Sequence, residues 1–430
     1  MIVQTYRIQP SMLQGSIQLP PSKSHTLRAL IFALLAEGKN VIHNYLDSPD
    51  TMCMIKAIQL LGATVSLSHT TIEVQGTNGK LTTPEDVIQA GNSGIILRFI
   101  GALTSLAPGY SVITGDASIR HNRVVIPLLQ ALSQLGAFAE TTRGGAFAPI
   151  LIKGPLKGGR ATLDGSDSQP ISGLLIAACF AEKQVELHVK NPGEKPWIDV
   201  TLSWIKRLGL LCECESYTNY LIQGKQYLKA FTYHVPTDLS SLAYVISAAL
   251  VTQSELRITH IDLSDSQGDK KFIDILQKMG AHIIYDATTS LLDIKPNQQL
   301  QGIEVDINDT IDMITILAVV ACFAQGTTTI KNGSIARKKE CDRIHAIATE
   351  LKKMGADIEE KEDGLIIRRS LLQGAFLTSH LDHRIALALS VAALGAKGES
   401  KVKGVECIAK SYPHFKKHFQ HLGAKITTTL

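Results

Sequence analysis

The stretch Arg343-Ile344-His345-Ala346-Ile347-Ala348-Thr349-Glu350-Leu351-Lys352-Lys353-Met354-Gly355-Ala356 decides how the chain is read. It predicts an amphipathic helix over Arg343–Lys353 that ends on an apolar-Gly-apolar turn, the glycine supplying a left-handed C-cap. The same marker recurs as Leu61-Gly62-Ala63, Leu135-Gly136-Ala137, Leu208-Gly209-Leu210, Met279-Gly280-Ala281 and Leu422-Gly423-Ala424. Six copies at intervals of about 70 residues exceed the usual solenoid periods. Helices closed by the marker are predicted at Val124–Gln134, Trp204–Arg207 and Phe272–Lys278 as well.

Earlier in each repeat a more apolar helix precedes a strand. The predicted pairs are Gly94–Ser105 with Tyr110–Thr114, Ser172–Ala181 with Val185–Lys190, Leu239–Val251 with Glu255–His260, and Ile314–Ala324 with Thr327–Lys331. The repeat therefore reads βαβαββ. A helix that is apolar all round must be enclosed, so three repeats per domain would bury such helices in a bundle under a coat of sheets. The fold class is α/β with two similar domains. The boundary is expected near His234-Val235-Pro236-Thr237-Asp238, where the fourth repeat begins. The sixth repeat starts at Leu377 and ends without spare strands, so Met1–Leu19 is expected to complete the second half. This gives domains of residues 21–236 and 1–20 plus 237–430, with two crossovers.

Size and composition agree. A chain of 430 residues is too long for one ordinary core. Its net charge is only +4, without a basic block, and aromatics are few, so small phosphate-bearing partners fit better than nucleic acid. Met1–Gln9 has no leader pattern and no window reaches roughly 18 uninterrupted apolar residues, which points to a cytoplasmic protein without membrane partners. Cys53, Cys179, Cys212, Cys214, Cys322, Cys341 and Cys407 have neither a paired framework nor metal-ligand spacing and read as reduced thiols. Cys212 and Cys214 share one face of a predicted strand, where a packing role outweighs a metal site.

Chemistry collects where buried helices begin. In Pro20-Pro21-Ser22-Lys23-Ser24-His25-Thr26-Leu27-Arg28, Ser22 or Ser24 can cap a helix, Lys23 sits among exposed N–H groups, and Ser24 and Arg28 share a face. Ala90-Gly91-Asn92-Ser93-Gly94 with Arg98, Arg120-His121-Asn122-Arg123, and Gly165-Ser166-Asp167-Ser168-Gln169 hold matching positions in successive repeats, so they should converge. In the second half Asp312 precedes an apolar helix, Asp382-His383-Arg384 opens Ile385–Ala393, and Lys410 stands at a loop-helix junction. The run Arg337-Lys338-Lys339-Glu340-Cys341-Asp342-Arg343 reads by itself as a solvated face. Together these groups predict a cationic cleft between the domains, with Asp, Glu and His for proton transfer. No nucleotide-binding glycine motif or His-Glu-x-x-His occurs.

With those motifs laid out, the chain resembles the enolpyruvyl transferases over nearly its whole length. Pro20–Arg28 is similar to that family's Pro-Gly-Ser-Lys-Ser-x-Ser-Asn-Arg, Gly91–Arg98 to its Gly-Asn-Ala-Gly-Thr-x-x-Arg, Arg337–Arg343 to its Arg-x-Lys-Glu-x-Asp-Arg, and Asp382–Arg384 to its Asp-His-Arg. The resemblance implies two domains of six βαβαββ units in all, buried parallel helices under mixed sheets, the type called an inside-out α/β barrel. It implies closure on shikimate 3-phosphate and phosphoenolpyruvate, with no metal or organic cofactor; a monomer is expected. By the same resemblance Lys23, Arg123, Gln169, Arg343, Arg384 and Lys410 hold phosphoenolpyruvate, which Gly94 approaches by its backbone. Asp312 takes the proton of the attacking 5-hydroxyl. Glu340, with Lys23, manages protonation at the methylene carbon and its reversal, and His383 is a further donor. Lys23, Ser24, Arg28, Ser168, Gln169, Asp312 and Lys339 face shikimate 3-phosphate. Alanine at Asp312 or Glu340 is expected to abolish most turnover with modest effects on folding.

The acceptor side departs from the family. Asp167 and Glu194 replace serines, Trp197 replaces a tyrosine, and Ile335 replaces a polar residue. Carboxylates near a dianionic phosphate repel it unless turned away, protonated, or paired with Lys195 or Arg120. The alternatives are therefore an unphosphorylated cyclitol acceptor, the sister transfer to UDP-N-acetylglucosamine, or a non-catalytic anion-binding relative. The sister branch usually carries a cysteine in its loop and an asparagine after the first lysine, whereas Gly115–Arg123 lacks cysteine and Ser24 follows Lys23. Ile95 and Phe99 replace a threonine and a proline beside Gly94. Glyphosate shares the phosphoenolpyruvate site in this family, so altered sensitivity is expected; an inhibition curve equal to that of a typical member would count against it.

Overall fold

The computed structural model describes residues 3–296 and 299–429. Residues 1–2, 297–298 and 430 of the expected second domain lie outside the described residues. Two compact units emerge, Pro21–Pro236 and Met1–Pro20 with Thr237–Leu430. Each has its own apolar core, one built from Leu27 to Val235 and the other from Tyr6–Leu19 and Leu239–Ile426.

Among the described residues the strands form six sheets of four, all on one plan. In the first, Lys39–His43 runs parallel to Thr232–His234 and antiparallel to Thr71–Gln75, which pairs antiparallel with Thr64–Leu67. The plan follows from the repeat, because parallel neighbours need a long crossover whereas antiparallel ones need only a hairpin. The sheets do not join strand to strand into a closed barrel. Their helices divide by burial. Every residue of Leu239–Val251 is buried, as is every residue of Lys23–Leu35 after Lys23, while Lys271–Lys278 buries only Phe272, Ile273, Ile275 and Leu276. The six marker glycines have φ between +73° and +106°, the left-handed C-cap that a side chain disfavours.

The N-terminal segment completes two sheets. Thr5–Gln9 lies antiparallel between Ser400–Lys403 and Lys425–Thr429, and Gln14–Gln18 runs parallel to Glu255–Thr259. The fourth repeat therefore takes its first strand from Gln14–Gln18. The strand Thr232–His234, at the expected start of that repeat, closes the sheet of the first, because its N–H and C=O groups meet Val41–His43. The helix expected over Gly94–Ser105 is a π turn at Ile96–Ile100 followed by Gly101–Thr104. Ser168–Ala178 starts earlier than predicted because Asp167 caps it.

One buried carboxylate sets the entry to the Asp382 helix. Glu350, in the middle of Arg343–Lys353, accepts hydrogen bonds from the Thr378 N–H at 3.0 Å, His380 Nε2 at 2.8 Å and Lys353 Nζ at 2.8 Å. The next two residues carry strain, since His380 and Leu381 have φ of +52° and +56° without being glycine. Ser379 Oγ steadies them by accepting from the Leu381 N–H at 3.1 Å and donating to the Gly404 carbonyl at 2.8 Å. Burial alone would raise the Glu350 carboxyl, but the bonds from His380, Lys353 and the Thr378 N–H outweigh it and hold the pKa below its ordinary value. The stability this lends is complete above the unfolded pKa of about 4.3 and is lost as pH falls through the depressed folded value. Glu350→Gln should therefore lower stability at pH 7 and flatten the acid limb below about pH 4.3 in urea titrations. A fragment of residues 237–430 lacks the strands Thr5–Gln9 and Gln14–Gln18 and should show no cooperative thermal transition, whereas residues 21–236 should show one.

Candidate active site

In the unit containing Thr237–Leu430, the site is built around the first residue of a helix. Asp342 caps Arg343–Lys353 by accepting from the His345 N–H at 3.0 Å, which turns Arg343 inward. Arg343 Nε donates to Asp382 Oδ2 at 2.7 Å, Nη1 to Asp312 Oδ1 at 2.6 Å and Nη2 to Glu340 Oε2 at 2.6 Å. The guanidinium is buried, and so are Asp382 and Glu340. Arg384 Nη2 donates to the other Asp312 oxygen at 2.7 Å, and Lys410 Nζ donates to Glu340 Oε1 at 2.6 Å. Asp382 caps its own helix through the Arg384 N–H at 2.8 Å.

Burial would raise Asp312, yet Arg384, Arg343 and Lys339 outweigh it and hold the carboxyl well below the usual range. Burial likewise opposes the charges on Arg343 and Arg384, and the neighbouring carboxylates raise both above the ordinary arginine value. The cluster is thus fully ionised at neutral pH at Asp312, Arg343 and Arg384. His383 is buried, with Nδ1 3.8 Å from Asp382 Oδ1 and 4.0 Å from Glu340 Oε1, beyond hydrogen-bond distance of either. The charged run is not a solvated face: Lys339, Glu340 and Arg343 are buried, while Arg337 pairs with Asp342 at 2.7 Å and Glu360 at 2.8 Å. The reason is pairing, which the linear run does not display. Ile335 is buried with the core. The sequence reading missed Asp269 and Ser240, which meet through a hydrogen bond from the serine hydroxyl. Gln267-Gly268-Asp269 offered no signal beyond a polar turn.

In the unit Pro21–Pro236, Ser22 caps the helix Lys23–Leu35 by accepting from the His25 N–H, and Lys23 Nζ lies 3.9 Å from Asp50 Oδ2. Asp50, in the first turn of Pro49–Leu60, was also missed. Gly94, Arg98, Arg123 and Gln169 do converge. A Cβ on Gly94 would stand 2.9 Å from both Arg98 Nη1 and Gln169 Oε1 and 3.5 Å from Arg123 Cζ. Arg98 Nη1 donates to Gln169 Oε1 at 2.9 Å. Arg28 donates from Nε to Thr201 Oγ1 at 3.0 Å, from Nη1 to the Ser24 carbonyl at 3.3 Å and from Nη2 to the Trp197 carbonyl at 3.2 Å. Burial lowers it to about 9, still a cation at neutral pH. Its guanidinium lies 5.2 Å from the centre of the Phe99 ring.

The two acidic replacements meet Arg98 and Ser168. Asp167 pairs with Arg98 Nη2 at 3.0 Å and caps its helix by accepting from the Gln169 N–H at 3.0 Å. Glu194 Oε2 accepts from the Ser168 N–H at 2.9 Å and the Ser168 hydroxyl at 3.0 Å. Of the cations expected to pair with them, Lys195 lies over the Tyr217 ring at 5.6 Å and Arg120 donates to the Gly115 carbonyl. Among the described residues no group of His, Cys, Asp and Glu is arranged to hold a metal ion, and no helix is long and apolar enough to cross a membrane.

The model of the family EPSP synthase (3-phosphoshikimate 1-carboxyvinyltransferase) matches residues 8–419. A 3-phosphoshikimate 1-carboxyvinyltransferase of Chlamydia pneumoniae is 40% identical over 98% of this chain and 94% of its own length. One of Acetivibrio thermocellus is 39% identical over 98% and 99%. A solved structure of EPSP synthase from Acinetobacter baumannii superposes with a TM-score of 0.83 at 27% identity, covering 99% of this chain and all of that one. Motif order, the repeated fold and full-length likeness agree, and the chain belongs to the EPSP synthase family.

Proposed function

We propose that the protein transfers the enolpyruvyl group of phosphoenolpyruvate to the 5-hydroxyl of shikimate 3-phosphate and releases phosphate, as a cytoplasmic enzyme of aromatic amino-acid biosynthesis. The observation that carries the reading is the sharing of Arg343 by Asp312 and Glu340, which fixes two ionisable carboxylates on one buried cation. Arg343, Arg384 and Lys410 hold phosphoenolpyruvate, as do Lys23, Arg123, Gln169 and the backbone at Gly94. Bidentate guanidinium groups suit planar carboxylate and phosphate oxygens. Ser24, Arg28, Ser168 and Lys339 serve the acceptor.

The reaction is addition followed by elimination. The acceptor oxygen bonds to C2 of phosphoenolpyruvate as its proton passes to Asp312, and the methylene carbon gains a proton. Phosphate then leaves C2 with its bonding pair, and the methyl carbon returns a proton to restore the double bond. Glu340, bonded to Lys410, is the group for this second carbon, serving first as acid and then as base. Asp312 is ionised but weakly basic while Arg343 and Arg384 face it. Substrate anions that occupy those cations weaken that hold, so proton affinity rises when the substrate is in place. Alanine at Asp312 or Glu340 would take one of three carboxylates from the buried Arg343 guanidinium, so it costs stability as well as turnover.

A second reading has a specific observation behind it. Glu194 occupies the backbone and hydroxyl donors of Ser168, the residues assigned to the acceptor phosphate, which favours an unphosphorylated cyclitol. Phosphate release from phosphoenolpyruvate, measured with shikimate 3-phosphate and with shikimate, separates the two. The primary reading expects turnover with the first only, and equal turnover defeats it. Asp312→Asn and Glu340→Gln should each lower kcat by about a hundredfold or more while remaining folded. Near-normal kcat in either variant removes the role given to that residue.

A further inference from the structure

We infer that Asp269, acting through the Ser240 hydroxyl, is a positioning residue for the Arg384 guanidinium. The inference rests on the reading above in one respect, that Arg384 holds phosphoenolpyruvate. Asp269 lies in the short turn Gly268–Lys270, ahead of the helix Lys271–Lys278, and its carboxyl group is buried. Ser240 is the second residue of the helix Leu239–Val251, and its hydroxyl donates to Asp269 Oδ2.

A serine hydroxyl has one hydrogen and two lone pairs. With the hydrogen committed to Asp269, the oxygen can only accept from other groups, and Arg384 Nη2 stands 3.3 Å from it. The same Nη2 donates to Asp312 Oδ2 at 2.7 Å. Two acceptors therefore hold one corner of the guanidinium, while Nε, also buried, has no acceptor among the described residues. That arrangement restrains rotation of the group, so that Arg384 keeps one orientation toward Asp312.

Local structure does not explain Asp269. The start of Leu239–Val251 is already secured, because Asp238 accepts from the Ser241 N–H at 2.7 Å and Gln267 Oε1 accepts from the Leu239 N–H at 3.1 Å. Gln267 also donates to the Thr237 carbonyl at 2.9 Å, which ties the turn to that helix without help from Asp269. The second Asp269 oxygen, Oδ1, accepts no hydrogen bond among the described residues. A buried carboxyl group with a single hydroxyl donor is costly unless a counter-charge is near. The Arg384 guanidinium, bonded to the same serine oxygen, is a cation one hydroxyl away, and it opposes the upward push of burial on the Asp269 carboxyl.

The test is a double-mutant cycle of Asp269→Asn, Ser240→Ala and the pair, read as the Kd for phosphoenolpyruvate by calorimetry and as the KM for each substrate. Each single variant should weaken phosphoenolpyruvate binding about tenfold, leave the KM for shikimate 3-phosphate within about twofold, and lose no further affinity when combined. Ser240→Thr, which keeps the hydroxyl, should restore most of the loss. Additive losses, or variants that lower only the melting temperature, overturn the inference. If Asp269→Asn does not fold, Ser240→Ala alone decides, and an unchanged Kd rejects it. A wild-type protein that binds phosphoenolpyruvate yet releases no phosphate with shikimate 3-phosphate rejects the acceptor assignment only, since the Kd cycle still reads the relay. A wild-type protein that binds no phosphoenolpyruvate rejects both.

Discussion

The cationic unit depends on a single guanidinium. Arg343 is removed from water, and an isolated buried cation would be prohibitively costly. It is tolerated because Asp312, Glu340 and Asp382 each bring an oxygen within 2.7 Å. Those carboxylates come from three places in the chain: the turn before Ile314–Phe323, the link before Arg343–Lys353, and the cap of His383–Gly395. The interaction that satisfies one charge therefore fixes the ends of three helices. Placing proton-transfer groups and joining repeats are one physical task here.

The same logic extends outward. Asp312 bridges Arg343 and Arg384, and Glu340 bridges Arg343 and Lys410, so no cation in the cluster is held independently. A low local dielectric strengthens each of these contacts and makes a missing partner expensive. The backbone around Asp382 reflects that demand. Two left-handed non-glycine residues precede it, and a buried glutamate and a serine hold them there. Strain of this kind persists where surrounding bonds over-determine the conformation.

In the other unit the constraint is steric. Arg98, Arg123 and Gln169 crowd the space beside Gly94 so closely that a methyl group would meet two of them at 2.9 Å. The acidic replacements keep their charges occupied without disturbing that convergence. Asp167 is spent on a helix cap and on Arg98, and Glu194 on Ser168. The departures from the family pattern thus form a consistent set of pairings.

The sequence by itself determined the repeat, because an apolar-Gly-apolar stop and an all-apolar helix are local signals of backbone conformation and burial. Leu239–Val251 and Arg343–Lys353 occur with the predicted limits. It also marked Asp312 and Arg384, since charges at the mouths of apolar helices are conspicuous, whereas Arg343 and Glu340 entered only through the likeness of Arg337–Arg343 to the family's motif. Only the tertiary structure decided which charges meet. Lys339, Glu340 and Arg343 look like a solvated face in a linear string, and burial becomes possible only through Asp312, Asp382 and Lys410, up to 70 residues away. The tertiary structure alone gave Thr232–His234 to the first repeat and Gln14–Gln18 to the fourth, because strand pairing is set by which unpaired backbone edge is within reach. Asp269 was invisible for the same reason: its partner is a serine 29 residues earlier, and no local pattern records a hydrogen bond made across a fold.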